Sequence, residues 1–308
     1  MNKELNILLK KILYLIFPII AWVIIAISVD PFNYFNISTI ISKKSKEKSA
    51  LKLNSLLYNS IYFYNNPTDN IIIGDSRIRK LPTDRIKELT GDDYFILHSN
   101  AAKLNEMIDL FWFTTEYTNP KNIILGLNFN LFNQFSYSNR VADVLEIIKN
   151  PLIYIFNYNT VETIYLCLKI EYLAIQEKKI KNKNIFWQKT INNVAKNHYS
   201  RWKFPLKSLL RLQKIGEYCK SNDINLTFLI VPHHLEFHKR LSYFDLEKEE
   251  IQFKQELKKI STVIDFDYPN PITECKECFS DPIHANDSIS RLIIDEIFSD
   301  SLEIGKLL

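Results

Sequence analysis

A hydroxyl, an imidazole and a carboxylate stand at two places where this chain turns a corner. Ser76 follows Ile71-Ile72-Ile73-Gly74-Asp75, and Asp281-Pro282-Ile283-His284 lies near the C-terminus. A serine becomes a nucleophile when a neighbouring imidazole takes its proton, and a carboxylate on the other ring nitrogen holds the imidazole in the tautomer that can do so. Asp281 and His284 are three apart across a proline, a spacing that lets the carboxylate reach one imidazole nitrogen. Each motif also has a plainer reading. A serine at a strand-to-helix junction is a common N-cap, and Asp-x-x-His is common as a loop aspartate near a surface histidine.

The elements that would position these groups are readable. Ile71–Ile73, bounded by Asp69-Asn70 and Gly74, reads as a strand buried on both faces. Ile78, Leu81, Ile86 and Leu89 recur at helical spacing, so a helix is expected over Arg77–Leu89 with Pro82 in its first turn. Ser76 then sits where free backbone N–H groups and a helix dipole favour negative charge on oxygen. At the far end, Asn286-Asp287 reads as the N-cap of a helix that buries Ile289, Leu292, Ile293, Ile294 and Ile297. Further strands are expected at 94–98, 122–127, 226–231 and 262–266, with helices at 104–117, 206–220 and 246–260 between them. This alternation predicts an α/β fold, a flavodoxin-like three-layer sandwich on a five-stranded parallel sheet. Residues from about 131 to 205 break the rhythm and read as an inserted helical lid or subdomain. It contains the basic run Lys178-Lys179-Ile180-Lys181-Asn182-Lys183, and Glu162, Lys169 and Glu171 exclude its apolar stretch as a second membrane span.

Gly74-Asp75-Ser76 after the first strand and Asp281-x-x-His284 before the last helix together resemble the SGNH/GDSL hydrolase family in residue types, order and placement, over about residues 70–299. The resemblance implies a catalytic Ser76-His284-Asp281 triad. It also implies an oxyanion hole. Asn122 to Asn128 is similar to the block whose Gly-x-Asn supplies one donor, which gives that role to Asn128 beside the Ser76 amide, although Phe129 stands where an Asp often follows. A glycine amide is usual after the second strand. Here the chain reads Ser99-Asn100-Ala101-Ala102, so an N–H of Asn100 or Ala101 is expected to serve, in a conformation glycine would ordinarily supply. Within the family the chain is similar to membrane-anchored members that move acetyl or D-alanyl groups onto cell-envelope polymers. That implies an esterase or O-acyltransferase without a cofactor, an envelope glycan or other acyl acceptor, and a membrane protein as acyl donor. A catalytically silent domain that binds glycan or a membrane partner is the alternative, favoured by the absent glycine.

The whole chain sets wider bounds. Its 308 residues, 46% hydrophobic and 24% charged, suffice for a large core in one or two domains. A net charge of +4 with no basic stripe among aromatics argues against a nucleic-acid partner. Lys3, Lys10 and Lys11 precede an uncharged run of 18 residues, Ile12–Val29, long enough to cross a bilayer. The expected layout is a cytoplasmic N-terminus (1–11), a retained signal anchor (12–29), a basic stem (30–69) with an amphipathic Leu51–Tyr64 stretch, and an extracytoplasmic domain (70–308) at the cell membrane. His233, His234 and His238 follow the strand at 226–231, where open α/β sheets bind ligands, and His233 is the candidate substrate contact. No cysteine or acidic partner stands at metal-ligand spacing, and no metal is expected. Asp265, Asp267 and Asp281 as an acidic pocket remain the other use of those carboxylates. Cys275 and Cys278 read either as a local disulfide or as separate thiols.

Overall fold

The computed structural model of the chain describes residues 3–173, 183–299 and 301–308. In order it forms α1 (Lys3–Val29), α2 (Lys43–Asn65), β1 (Asn70–Asp75), α3 (Thr83–Thr90), β2 (Phe95–Ser99), α4 (Leu104–Tyr117) and β3 (Asn122–Leu127). Helices α5 (Arg140–Lys149), α6 (Pro151–Phe156), α7 (Tyr158–Leu173), α8 (Lys183–Tyr199) and α9 (Leu206–Ser221) follow, then β4 (Asn225–Ile230). Two short helical turns, α10 (Leu235–His238) and α11 (Arg240–Tyr243), precede α12 (Glu247–Ile260) and β5 (Thr262–Asp265). The chain closes with α13 (Pro271–Glu274), β6 (Phe279–Asp281), β7 (His284–Ala285), α14 (Asp287–Ile297) and β8 (Lys306–Leu307). The described residues fall into two compact units, one within Met1–Asn65 and Ala142–Lys178, the other within Asn66–Val141 and Lys179–Leu308.

The second unit is built on a sheet of order β2-β1-β3-β4-β5-β8. Its first five strands run parallel, in the flavodoxin-like order that the alternation of strands and helices predicts. The sixth strand is unforeseen: Lys306–Leu307 lies antiparallel to β5 and is too short to show a period. Ile72, Ile124, Leu229 and Ile264 share one apolar cluster with Ile86 of α3 and with Ile289, Ile293 and Ile294 of α14. Helices α4, α9 and α12 pack together and against β1, β4 and β5, which completes the three layers.

One sequence expectation changes near β1. The helix expected over Arg77–Leu89 is split into a single 3-10 turn, Ile78–Lys80, and α3 from Thr83. Leu81 is extended (ψ 123°), the conformation forced on a residue that precedes proline. The 3-10 turn is held by close packing, for a Cβ on Gly126 would lie 2.5 Å from Ile78 Cγ2 and one on Gly74 3.0 Å from Ile78 Cδ1. Glycine is needed at both places so that Ile78 can dock over the strand ends.

The first unit joins α1 and α2 to residues 142–173. Within α1, Lys10–Val29 is long and apolar enough to cross a membrane (20 residues, mean hydropathy 2.7) and is mostly exposed. The stretch expected as a stem contains α2, which is broken at Asn54 (φ −148°, ψ 81°), where the side chain caps Leu57 N–H at 3.0 Å. The stretch expected as one insertion at about 131–205 is shared between the units. Helices α6 and α7 belong to the first, whereas α8 packs into the second through buried Trp187 and Ile191. The basic stretch Lys178–Asn182 lies outside the described residues. Gly126→Ala should lower the unfolding free energy by about 1–3 kcal/mol, because Ile78 is wedged between backbone and neighbours. Urea titration would register the loss as a lower midpoint; an unchanged midpoint would mean that Ile78 does not pack there.

Candidate active site

Ser76 leaves β1 at its C-terminal end, and its neighbours lock the corner. The Arg77 guanidinium is buried and grips Asp75 twice, Nε to Oδ1 at 2.9 Å and Nη2 to Oδ2 at 2.7 Å, while Arg77 N–H also donates to Asp75 Oδ1 at 2.9 Å. Burial alone would push the Asp75 carboxyl up, but the charge and hydrogen bonds of Arg77 hold it below its usual value. Ser76 caps no helix. Its Oγ lies 2.8 Å from His284 Nε2, across 208 positions of sequence.

His284 reaches that hydroxyl from a two-stranded hairpin, β6 and β7, turned by Pro282-Ile283. Asp281 Oδ1 accepts Ile283 N–H at 3.0 Å and His284 N–H at 3.1 Å, so the carboxylate shapes the turn that carries its own partner. His284 Nδ1 lies 2.8 Å from Asp281 Oδ2 and 3.0 Å from Oδ1. A carboxylate only accepts, so Nδ1 carries the hydrogen and Nε2 turns a lone pair toward Ser76. Burial pushes the Asp281 carboxyl up, and the hydrogen bond and charge of His284 bring it to a net value below the usual range. The hairpin is tied down from both sides: a Cys275–Cys278 disulfide precedes it, Asn286 N–H donates to Cys278 O at 2.9 Å, and His234 N–H donates to Pro282 O at 2.9 Å.

The other expected site residues divide. Asn128 is a correction. It lies level with Val231 on the next strand, and its Nδ2 donates to Val231 O at 2.7 Å and to Asp267 Oδ2 at 3.3 Å, which commits both hydrogens away from β1. Asn100 and Ala101 follow directly on the Asp75–Ser99 pairing of β1 with β2, so they flank Ser76. Ala101 takes up the left-handed conformation (φ 53°) that glycine would ordinarily supply, and Arg140 donates to the carbonyls of Asn100 and Ala101 at 3.3 and 3.5 Å. Among the described residues nothing accepts the N–H of Ser76 or of Ala101.

His233 is no open substrate contact. It is buried, with Nδ1 2.8 Å from Asp267 Oδ2 and Nε2 2.7 Å from Arg77 Nη1, which can only donate. Its tautomer is thereby fixed with hydrogen on Nδ1, and burial pushes its pKa down more than Asp267 raises it, so the ring is neutral. Arg77, Asn130, which accepts from Arg77 Nη1 at 2.8 Å, and Asp267 in this role are the residues that sequence reasoning missed. The only signal was the charge of Arg77 directly after Ser76. His238, Glu250 and Asp267 approach closely enough to suggest a metal. Lys254 already stands among them, 2.7 Å from Asp267 O, 2.8 Å from Asp265 Oδ2 and 3.1 Å from Glu250 Oε1, so an ammonium fills the cation's part.

No family model matches the sequence, and no curated protein matches it. Among solved structures, one described as "a putative platelet activating factor from Streptococcus pneumonia" superposes with a TM-score of 0.40 and 10% identity, over 82% of this chain and 94% of that one.

The buried histidines make stability depend on pH. Burial, with the charge of Arg79, pushes His98 down from 6.5 to about 4. The unfolded chain binds this proton below pH 6.5 and the folded chain only below about 4, so the contribution is whole above pH 6.5 and is lost as pH falls through that window. Each such histidine adds about 1.4 kcal/mol per pH unit to the slope. Urea unfolding at successive pH values should show that slope, reduced by one proton's worth in His98→Gln.

Proposed function

We propose that the protein is a membrane-anchored serine esterase or O-acyltransferase acting on a cell-envelope polysaccharide. The observation that carries the reading is the unbroken chain Ser76 Oγ, His284 Nε2, His284 Nδ1, Asp281, with contacts of 2.8 Å at each link. In this reading Ser76 Oγ attacks the ester carbonyl as His284 takes its proton, and the negative charge of Asp281 supports the imidazolium. His284 then returns the proton to the departing alcohol, which leaves an acyl group on Ser76 and a neutral imidazole to activate the acceptor. The N–H groups of Ser76 and Ala101 suit the oxyanion, in place of the Asn128 side chain. The silent-domain alternative loses the feature that favoured it, because Ala101 takes up the glycine conformation without a glycine.

Anchor and orientation belong to the same proposal. Lys3, Lys10 and Lys11 support a cytoplasmic N-terminus, and the Cys275–Cys278 disulfide supports an oxidising, extracytoplasmic compartment for the sheet unit. Transfer is favoured over hydrolysis because a retained anchor serves an enzyme that receives acyl groups at a membrane from a donor protein. α8, packed against the β6 strand that bears Asp281, adds a cover that limits water.

A fluorophosphonate probe should modify Ser76 in the full chain, seen as a mass shift on its peptide. Ser76→Ala, His284→Ala and the double variant should each lose about 10³–10⁶-fold in ester turnover, with no multiplication in the double. Independent, multiplying losses would remove the triad assignment. Asp281→Asn should retain more activity than either.

The acyl-enzyme also separates the two reaction types. Labelled acyl-Ser76 should persist in buffer and discharge faster on addition of an envelope-type glycan acceptor. Discharge that is already fast in buffer and indifferent to every acceptor would leave an esterase.

A further inference from the structure

The first unit turns an apolar face outward although it buries several polar side chains. Asp30, Lys46, Ser49, Thr160 and Thr163 are buried. The outward face of α7 carries instead Tyr158 (74% exposed), Val161 (42%), Tyr165 (60%), Leu168 (36%) and Tyr172 (66%). Those positions step by three and four, so they form one continuous stripe. α6 adds exposed Leu152 and Phe156. Soluble proteins rarely leave a contiguous apolar patch of this kind uncovered. Helices in lipid do so by default, keeping small polar side chains for contacts with one another.

The level of the stripe relative to α1 decides what covers it. The Trp22 indole N–H donates to Ile155 O of α6 at 3.0 Å, and Tyr154 of α6 donates to Asp30 Oδ1 at 2.8 Å, which fixes α6 along the last turns of α1. Trp22 stands seven residues before Val29. At about 1.5 Å per residue α6 therefore runs beside roughly the outer 10 Å of the span, between the levels of Trp22 and Asp30. The bilayer surface cannot be moved below Trp22 to avoid this, because Lys10–Ala21 would cover only about 18 Å of a core about 30 Å thick. Charge follows the same plan. Glu162 and Lys169 lie along one edge of the stripe, with Lys169 Nζ 4.2 Å above the Tyr165 ring, from where an ammonium reaches headgroups. Three tyrosines on the stripe are the side chains that settle at a membrane interface.

We infer that α6 and the outer face of α7 are immersed in the bilayer interface beside α1, so that the membrane holds this unit through a second surface as well as through its span. The inference rests on Lys10–Val29 being a retained span and is independent of the chemistry at Ser76. α7 is not a second crossing. Asn157 separates it from α6, and one long face of it packs on α2.

The test uses the full chain in vesicles of phosphatidylcholine and phosphatidylglycerol, with an environment-sensitive fluorophore on one introduced cysteine at a time; native Cys167 and Cys219 are buried. Labels at Val161→Cys, Tyr165→Cys and Leu168→Cys should be quenched severalfold more by a doxyl-bearing lipid than by aqueous iodide, as should Leu15→Cys in the span. Tyr243→Cys, an exposed site in the sheet unit, should show the reverse. If Leu15 is quenched from lipid while the three α7 labels are quenched by iodide, the span stands and the inference is overturned. Labels on α7 shielded from both quenchers would mean that a polypeptide covers the stripe, which also overturns it. A Leu15 label quenched only by iodide would remove the span reading and the inference together.

Discussion

The buried guanidinium of Arg77 is the constraint on which the site depends. It donates to Asp75 at the end of β1, to Asn130 just after β3 and to His233 just after β4, and His233 passes the chain of contacts to Asp267 just after β5. Four strand ends are thus joined by one network lying under the corner at Ser76. Burying a charge costs several kcal/mol unless partners recover it, and removing one partner of such a pair typically costs about 3–5 kcal/mol. The arrangement therefore has little freedom to loosen without coming apart, and that rigidity is what holds a serine Oγ within hydrogen-bond reach of an imidazole brought from the other end of the chain.

Among the described residues, two histidine–aspartate pairs have nearly the same internal geometry and opposite circumstances. His233 has both nitrogens engaged and almost no exposure, so it is a structural bridge whose protonation state is frozen. His284 has one nitrogen on Asp281, the other on a hydroxyl, and a side chain 25% exposed. Chemical type alone therefore does not separate the two imidazoles; the identity of the far partner does, arginine in one case and serine in the other.

Much of this was legible in the sequence wherever the signal is local or periodic. The five parallel strands, the helices after β2 that separate them and the Asn286 cap lie within a residue or two of where pattern places them, and those strands take the flavodoxin-like order expected from the alternation. What was not legible is competition between partners distant in sequence. Asn128 looks like a free amide until the carbonyl of Val231 is seen beside it, and His233 looks like a ligand contact until Arg77 is placed at its far nitrogen. The split of the helix after Ser76 was readable in principle, because Pro82 constrains Leu81, but helical spacing of apolar residues outweighed it. The helical period of the stretch that forms α6 and α7 was legible, but the face it turns outward was not, because that face is apolar too.

The 208 positions between Ser76 and His284 also bear on how the protein comes into being. Ser76 follows the first strand of the sheet, and His284 comes after the last parallel strand, on a hairpin preceded by the Cys275–Cys278 disulfide. Contacts of such span form late, since the loop between them must be organised first. A chain cut short before His284 would hold Ser76 with no imidazole beside it. The pair is assembled only once the hairpin that carries His284 has folded.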